Sequence, residues 1–421
     1  MNLNNKGAIT DKVACVIMAG GQGTRLFPLT ATRCKPAVGF GGQYRLIDIP
    51  ISNALNAQIR HLFVVSQYFS TGLNNHIKET YHLDHFHAHD IHLLNPEETL
   101  TGHVFYEGTA DAVKKNLSYI LSYPIDYVMI LSGDQLYNMD LYAMLQFAIG
   151  KDADLTIATL PVTEELAPRM GIMKIDDQSW IEEFQEKPTD PSPLALSPDF
   201  QKRRKISHPY LASMGIYIFK KEALITALDE VKGSDFGKHV IPYQLKKGPV
   251  AAFLYDGYWE DIGTVASYYE ASLALTNRSL GLNLYNESCP IYSHAPSLPC
   301  PHISNTSISH SIVCSGALIG AKSINHSIIG TRAKIGEGTS IDHSVIMGQE
   351  SYFNSLTDLE YGIGKNCSIT KAIIDENTQI GDNVKLVNHE NRQTYDGDGV
   401  YIRDGIIIVT SGTKLPSGFT L

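Results

Sequence analysis

From residue 312 onward aliphatic side chains recur at every sixth position: Ile312, Leu318 and Ile324, then Ile329, Ile335 and Ile341. After an interruption at 347–362 the step resumes with Ile363 and Ile369, then Ile380 and Leu386. Glycine follows the aliphatic residue in Ile319-Gly320, Ile329-Gly330, Ile335-Gly336, Ile363-Gly364 and Ile380-Gly381. Few architectures use such a step. One inward aliphatic residue in six fits a β-helix, whose short strands each form one side of a coil and are buried by stacking coil on coil. An ordinary antiparallel β domain with coincidental spacing is the alternative that periodicity leaves open. The repeat carries no obvious catalytic group, so packing, oligomerisation or regulation is its expected work.

The preceding residues have a different texture. Short apolar runs alternate with helical patterns, as in a parallel α/β sheet. Val13–Met18, 61–66, 127–131, 155–160 and 215–219 read as strands. Residues 110–123 place Val113, Leu117, Ile120 and Leu121 on one helical face, and 264–277 read as a closing helix. Pro290, Pro296, Pro299 and Pro301 then punctuate a linker. The 421 residues therefore divide into a catalytic α/β domain at 1–280, a linker at 281–302 and a β-helix at 303–421, each domain long enough for its own core.

A formal net charge of −10 argues against a general nucleic-acid binder, though a few cations can still line a phosphate pocket on an acidic protein. No apolar run reaches membrane-spanning length. Residues 1–6 carry no secretory or transit pattern, and the six cysteines are scattered without a C-x-x-C pair. Reduced thiols in a cytoplasmic protein are expected.

The first strand run ends in Ala19-Gly20-Gly21-Gln22-Gly23-Thr24-Arg25-Leu26, followed by Lys35-Pro36-Ala37-Val38. Glycines after a strand let backbone N–H groups approach a phosphate chain. No Lys-Ser/Thr pair follows the last glycine, and the third glycine comes too early for a dinucleotide fingerprint. Arg25 and Lys35 supply a forked cation and a point cation for phosphate oxygens; without them the glycines would read equally as a tight turn. Leu131-Ser132-Gly133-Asp134 sets a carboxylate at the edge where open α/β sheets bind ligands. Trp259-Glu260-Asp261-Ile262-Gly263 does the same after the apolar run 251–254. Two such acids converging would suit Mg²⁺, which takes one or two carboxylates plus substrate phosphates, while a turn or capping role for Asp134 stays open. In Glu186-Lys187-Pro188 the proline disfavours helix at Lys187, which is expected to be extended; read singly, it is a surface lysine. His82, His85, His87, His89 and His92, with Asp84 and Asp90, lack strict metal-ligand spacing and read as a polar loop. Gln201-Lys202-Arg203-Arg204-Lys205, after Pro188, Pro191, Pro193 and Pro198, reads as a solvated loop.

Several longer stretches accompany these motifs: Gly23-Thr24-Arg25-Leu26-Phe27-Pro28-Leu29-Thr30, Gly41-Gly42-Gln43-Tyr44-Arg45-Leu46-Ile47-Asp48, Gly108-Thr109-Ala110-Asp111-Ala112-Val113, Phe184-Gln185-Glu186-Lys187-Pro188, Ser213-Met214-Gly215-Ile216-Tyr217 and Tyr258-Trp259-Glu260-Asp261-Ile262-Gly263. With them the chain resembles, over essentially its whole length, the ADP-glucose pyrophosphorylase (glucose-1-phosphate adenylyltransferase) family. The glycine-rich motif is common to sugar-nucleotide pyrophosphorylases; the stretches at 108–113 and 259–264 narrow the resemblance to the ADP-glucose branch.

The resemblance implies an α/β fold, a Rossmann-like nucleotidyltransferase domain followed by a left-handed parallel β-helix, assembled as a homotetramer. It implies ATP and α-D-glucose 1-phosphate as substrates and Mg²⁺ as cofactor. Gly20, Gly21, Gly23, Thr24 and Arg25 would then lie along the ATP phosphates, Lys35 at the pyrophosphate end, and Gly108 and Thr109 against the nucleoside. Asp134 and Asp261 would bind Mg²⁺, with Arg25, Lys35 and Asp134 as the catalytic group. Tyr106, Gly171, Glu186, Lys187 and Ser213 would hold glucose 1-phosphate, Lys187 by its phosphate and Glu186 by a sugar hydroxyl. Members activated by fructose bisphosphate or 3-phosphoglycerate carry lysines where this chain has Thr32 and Thr410-Ser411, so activation by either is expected to be weak or absent.

Three rivals remain at this level: a pyrophosphorylase for another nucleotide and sugar, an added acyl transfer on the β-helix, and a catalytically silent regulatory subunit. The short, interrupted solenoid counts against the second. Retention of Arg25, Lys35, Asp134, Lys187 and Asp261 counts against the third.

Overall fold

Val13–Met18 lies between His61–Val65 and Tyr127–Ser132, parallel to both. A strand apolar at every position needs cover on both faces. Ala14, Val16, Phe63 and Val128 enter one core and Cys15, Ile17, Leu62 and Met129 the opposite one. The computed structural model describes residues 3–81, 90–96, 98–99, 102–103, 105–294, 297–353 and 361–421.

Among the described residues this sheet has nine strands, and it is mixed rather than wholly parallel. Tyr210–Lys220 runs antiparallel to both Tyr127–Ser132 and Leu155–Val162, and Gly171–Ile175 forms an antiparallel hairpin with Ile181–Glu186. For the hairpin the reason is connection length: a short turn can join only antiparallel neighbours, whereas parallel ones need a crossover.

Two loop expectations are corrected here. Asp90 and His92 belong to an edge strand, Asp90–Leu94, parallel to His61–Val65. His92 stacks on Phe63 at 5.1 Å, and its two ring nitrogens lie 3.1 and 2.9 Å from the hydroxyls of Tyr119 and Tyr123. His82, Asp84, His85, His87 and His89 lie outside the described residues. The basic run at 201–205 belongs largely to a helix, Pro198–Arg204. Ser197 caps it by accepting from the Phe200 N–H, and Pro198 stands at the first helical position, where its missing N–H costs nothing.

The C-terminal residues form a parallel β-helix whose strands stack in three sheets. Ile319, Ile335, Ile363 and Ile380 stack on one side, Ile324, Ile341 and Ile369 on the next, Ile329, Ile346 and Ile374 on the third. The step falls short of six residues on average. Ile319 turns inward while Leu318 is 40% exposed, and an uninterrupted coil takes sixteen or seventeen residues, from Ile319 to Ile335 or Ile324 to Ile341. One residue is lost at the corner between the second and third sheets, where His326 and His343 adopt left-handed backbone at φ 41 and 43°, and the sixteen-residue coil loses another between Ile319 and Ile324.

The two domains share a core. Leu26, Leu29, Val38, Phe40 and Tyr268 from the first pack with Ile328, Val345, Met347, Ile373, Ile406 and Ile408 from the second. The Tyr269 hydroxyl donates to the His343 carbonyl at 2.6 Å, and the Thr331 N–H to the Gly42 carbonyl at 2.9 Å. Arg33 reaches across to Asp375 and Glu376 at 3.1 and 3.2 Å. Ile341, 1% exposed, sits in the solenoid's own core. Ile341→Ala is expected to destabilise the β-helix by about 2–5 kcal/mol, read as a lower denaturant midpoint for the solenoid transition.

Candidate active site

The loop after Val13–Met18 is built to leave its backbone uncovered. Gly20, Gly21, Thr24 and Arg25 are exposed, while Leu26 is buried and anchors the turn Thr24–Leu26. Gly21 and Gly23 have φ of 122 and 61°, which L side chains rarely adopt. A methyl at Gly23 would also stand 3.0 Å from the Thr30 methyl, and the Thr30 hydroxyl donates to the Gly23 carbonyl at 2.9 Å.

Across from this loop, acids and cations converge. Asp134 follows the strand Tyr127–Ser132, and Trp259–Asp261 pairs antiparallel with Gln135–Tyr137, setting Asp261 opposite Gln135. Lys35, on the turn Lys35–Ala37, donates its ammonium to Asp134 Oδ2 at 2.5 Å and lies 4.0 Å from Asp261 Oδ1. The Ser132 hydroxyl donates to the other Asp134 oxygen. Burial raises the Asp261 pKa above the ordinary carboxylate value, and the nearby Asp134 raises it further; Lys35, Arg25 and Lys187 pull it back. Three cations thus act on one carboxylate. The donor set fits a divalent cation: the two carboxylates already share one cationic neighbour, Lys35, and Mg²⁺ takes one or two carboxylates together with substrate phosphate oxygens. Among the described residues there is no group of three or more His, Cys, Asp or Glu that could hold a metal ion.

A second cluster forms at the Gly171–Ile175 and Ile181–Glu186 hairpin, where Gly171 faces Glu186. The Glu186 carboxylate leans on two glycines: a Cβ at Gly171 or Gly237 would stand 2.8 or 2.6 Å from its Oε2. Burial raises its pKa, Lys187 opposes that, and Asp235 adds to it. Lys187 Nζ lies 3.7 Å from Glu186 Oε1 and its side chain is 60% exposed. Its backbone is not extended as expected but left-handed, at φ 48°. A following proline disfavours right-handed helix without forbidding this region, and the Lys187 N–H bond to the Met170 carbonyl at 3.0 Å holds it there. Such a backbone costs about 1–3 kcal/mol for a residue with a side chain.

Ser213 sits in Tyr210–Lys220 opposite Thr159, its hydroxyl accepting from the Gly215 N–H and bonded to half-buried Tyr217. Gly108 precedes the helix Thr109–Ile120 in extended backbone and packs on the Ser234 carbonyl; the Thr109 hydroxyl accepts from the Phe236 N–H at 3.4 Å. The Tyr106 N–H donates to Gln67 and its hydroxyl accepts from Asn116. The structure therefore brings Arg25, Lys35, Asp134 and Asp261 together, and Gly171, Glu186 and Lys187 together, with Lys187 close enough for its charge to act on Asp261. Sequence reasoning missed Ser132, Asp235 and Gly237. Ser132 was legible inside Leu-Ser-Gly-Asp; Asp235 and Gly237 follow no strand run and had no local signal.

Residues 14–278 match the model of the nucleotidyl transferase family, and residues 297–420 that of the GLGC left-handed parallel beta-helix domain. The first match covers more than half of the chain, which belongs to the nucleotidyl transferase family. The pairing of these two domains is the signature architecture of glucose-1-phosphate adenylyltransferase, or ADP-glucose pyrophosphorylase. Among the described residues no helix is long and apolar enough to cross a membrane.

Asp134→Asn removes the charge that Lys35 answers and one of the two carboxylates available to a cation. Nucleotidyl transfer is expected to fall about 10²–10³-fold in kcat with binding largely kept, as for loss of one preorganised electrostatic element. Steady-state kinetics of the folded variant at saturating divalent cation checks it.

Proposed function

We propose that this protein transfers the adenylyl group of ATP to α-D-glucose 1-phosphate, giving ADP-glucose and pyrophosphate for glycogen or starch synthesis. The observation that carries the reading is the pairing of two clusters at the strand ends: Arg25, Lys35, Asp134 and Asp261 at one, Glu186 and Lys187 at the other, coupled through the charge of Lys187 on Asp261. The first suits a triphosphate and the second a phosphorylated, hydroxyl-rich ring.

In this reading the backbone of Gly20, Gly21, Gly23 and Thr24 lies along the ATP phosphates, and Gly108 and Thr109 meet the nucleoside. Lys187 holds the sugar phosphate, Glu186 accepts from a sugar hydroxyl, and Tyr106, Gly171 and Ser213 line the rest. A phosphate oxygen of the sugar attacks the α-phosphorus in line; that bond forms as the bond to pyrophosphate breaks. The nucleophile is already an anion, so no strong base is required. Arg25 and Lys35 offset charge gathering on the leaving pyrophosphate, so positioning and charge neutralisation supply the catalysis. Asp134 and Asp261 would hold Mg²⁺, which supplies further neutralisation of the triphosphate. A cytoplasmic homotetramer belongs to the same reading; six free cysteines support a reducing compartment.

Pyrophosphate release assayed across nucleotide and sugar-phosphate pairs is expected to favour ATP with glucose 1-phosphate; preference for another pair reassigns the substrate, and no turnover with any pair supports a silent subunit. Lys187→Ala should raise the KM for glucose 1-phosphate about ten- to a hundredfold, the loss of one charge-assisted contact, with the ATP KM nearly unchanged. A rise in the ATP KM instead would overturn the sugar-phosphate role.

Thr32 and Ser411 line one inter-domain cleft of about 630 Å³, together with Arg33, Arg45, Glu350 and Glu376. Two of its three arginines are already answered, Arg33 by Asp375 and Glu376 and Arg45 by Glu376 at 3.4 Å, which leaves Arg332 as the remaining guanidinium. Fructose bisphosphate and 3-phosphoglycerate should therefore activate weakly or not at all, since each needs several free cations. Several-fold activation at low millimolar concentration and subsaturating ATP would refute this.

A further inference from the structure

Each of the two cations facing the phosphate loop stands two residues from a side chain gripped by the β-helix. Arg25 precedes Phe27, and Lys35 follows Arg33. Phe27 is 39% exposed and lies against the solenoid's closing hairpin, Thr394–Asp396 with Val400–Arg403. The Tyr401 ring meets it edge-on at 5.5 Å, and the Arg403 guanidinium lies 5.7 Å from the Phe27 ring and 5.6 Å from that of Tyr401. Arg403 is itself fixed: it donates to Asp396 at 2.6 Å and to the carbonyls of Tyr395 and Ile402 at 3.1 and 2.9 Å. Leu26 and Leu29, flanking Phe27, are 1% exposed in the core shared with Ile406 and Ile408. Arg33 makes two bonds to Asp375, at 3.1 and 3.3 Å.

The loop needs such support. Its phosphate-facing end has Gly21 and Gly23 in left-handed backbone and no buried side chain between Gly20 and Arg25, so its far end has to set its position. A catalytic cation displaced by about 1 Å forfeits much of its effect. We propose that the β-helix is a positioning element of the active site, with Tyr401 and Arg403 setting Arg25 through Phe27, and Asp375 setting Lys35 through Arg33. The inference rests on the reading of Arg25 and Lys35 as phosphate-binding cations. It gives the solenoid a role in every turnover, whether or not an effector is bound.

The test is a kinetic series in the full-length protein. Tyr401→Leu, which removes the aromatic edge, should raise the ATP KM or lower kcat about two- to tenfold, the worth of one aromatic pair, with the KM for glucose 1-phosphate within twofold of wild type. Tyr401→Phe keeps the edge and should restore both constants. In a double-mutant cycle, Phe27→Leu and Tyr401→Leu together should be no worse than either alone. Melting temperatures monitor folding, and Arg403→Gln provides a second probe at the hairpin surface. Folded Tyr401→Leu and Arg403→Gln variants with wild-type constants, equal rises in both KM values, or additive effects in the cycle would overturn the proposal. If wild type turns over a different nucleotide or sugar phosphate, the substrate reading fails alone, and the series is scored with the pair it does use.

Discussion

One ammonium between two carboxylates sets the terms for the rest of the molecule. Asp134 and Asp261 are brought together by a two-stranded ribbon, and like charges at that spacing are tolerated only with positive charge beside them. Lys35 supplies it at 2.5 Å, with Arg25 and Lys187 contributing from either side. Strands of the sheet end near this point, the glycine loop leaves its backbone open, and the hairpin of Gly171–Ile175 with Ile181–Glu186 brings the charge of Lys187 to bear on the same carboxylate. Partial burial is what gives these charges leverage, because each is worth more where water is scarce.

The second dependence runs between domains. A β-helix buries its aliphatic stacks only coil against coil, and the α/β domain has a core on each face of its sheet. Yet a further apolar cluster belongs to neither alone, and Leu26 and Leu29, which follow the glycine loop, lie in it. An apolar seam of this kind makes the two domains mechanically one unit around Leu26, Leu29 and Phe40, while the Arg33 contacts with Asp375 and Glu376 give the seam an orientation that hydrophobic contact by itself would not specify.

Much of this was legible in the sequence because short-range rules govern it. Val13–Met18 is apolar at every position and is followed closely by glycines, so a buried strand feeding a loop was readable directly. The β-helix was readable from its periodicity, though not its true phase: Leu318 sits on the expected step and faces out, because the left-handed corner residues shorten each coil. Local rules failed where two of them compete. Pro198 reads as a breaker among other prolines and serves instead as the first residue of a capped helix. Lys187 precedes a proline and is held left-handed by a bond from its own N–H to a distant carbonyl.

The sequence by itself determined the classes of structure, the order of the domains and the residue types able to hold phosphates: these rest on patterns within a few tens of residues. Only the tertiary structure decided that Lys35 meets Asp134, that Asp261 joins them through the ribbon, that Glu186 rests on Gly171 and Gly237, and that Phe27 and Arg33 are held by a domain hundreds of residues later. Each of those contacts depends on how twisted sheets and stacked coils place remote segments in space. Periodicity reports which face of an element is buried, but not which distant side chain will meet it.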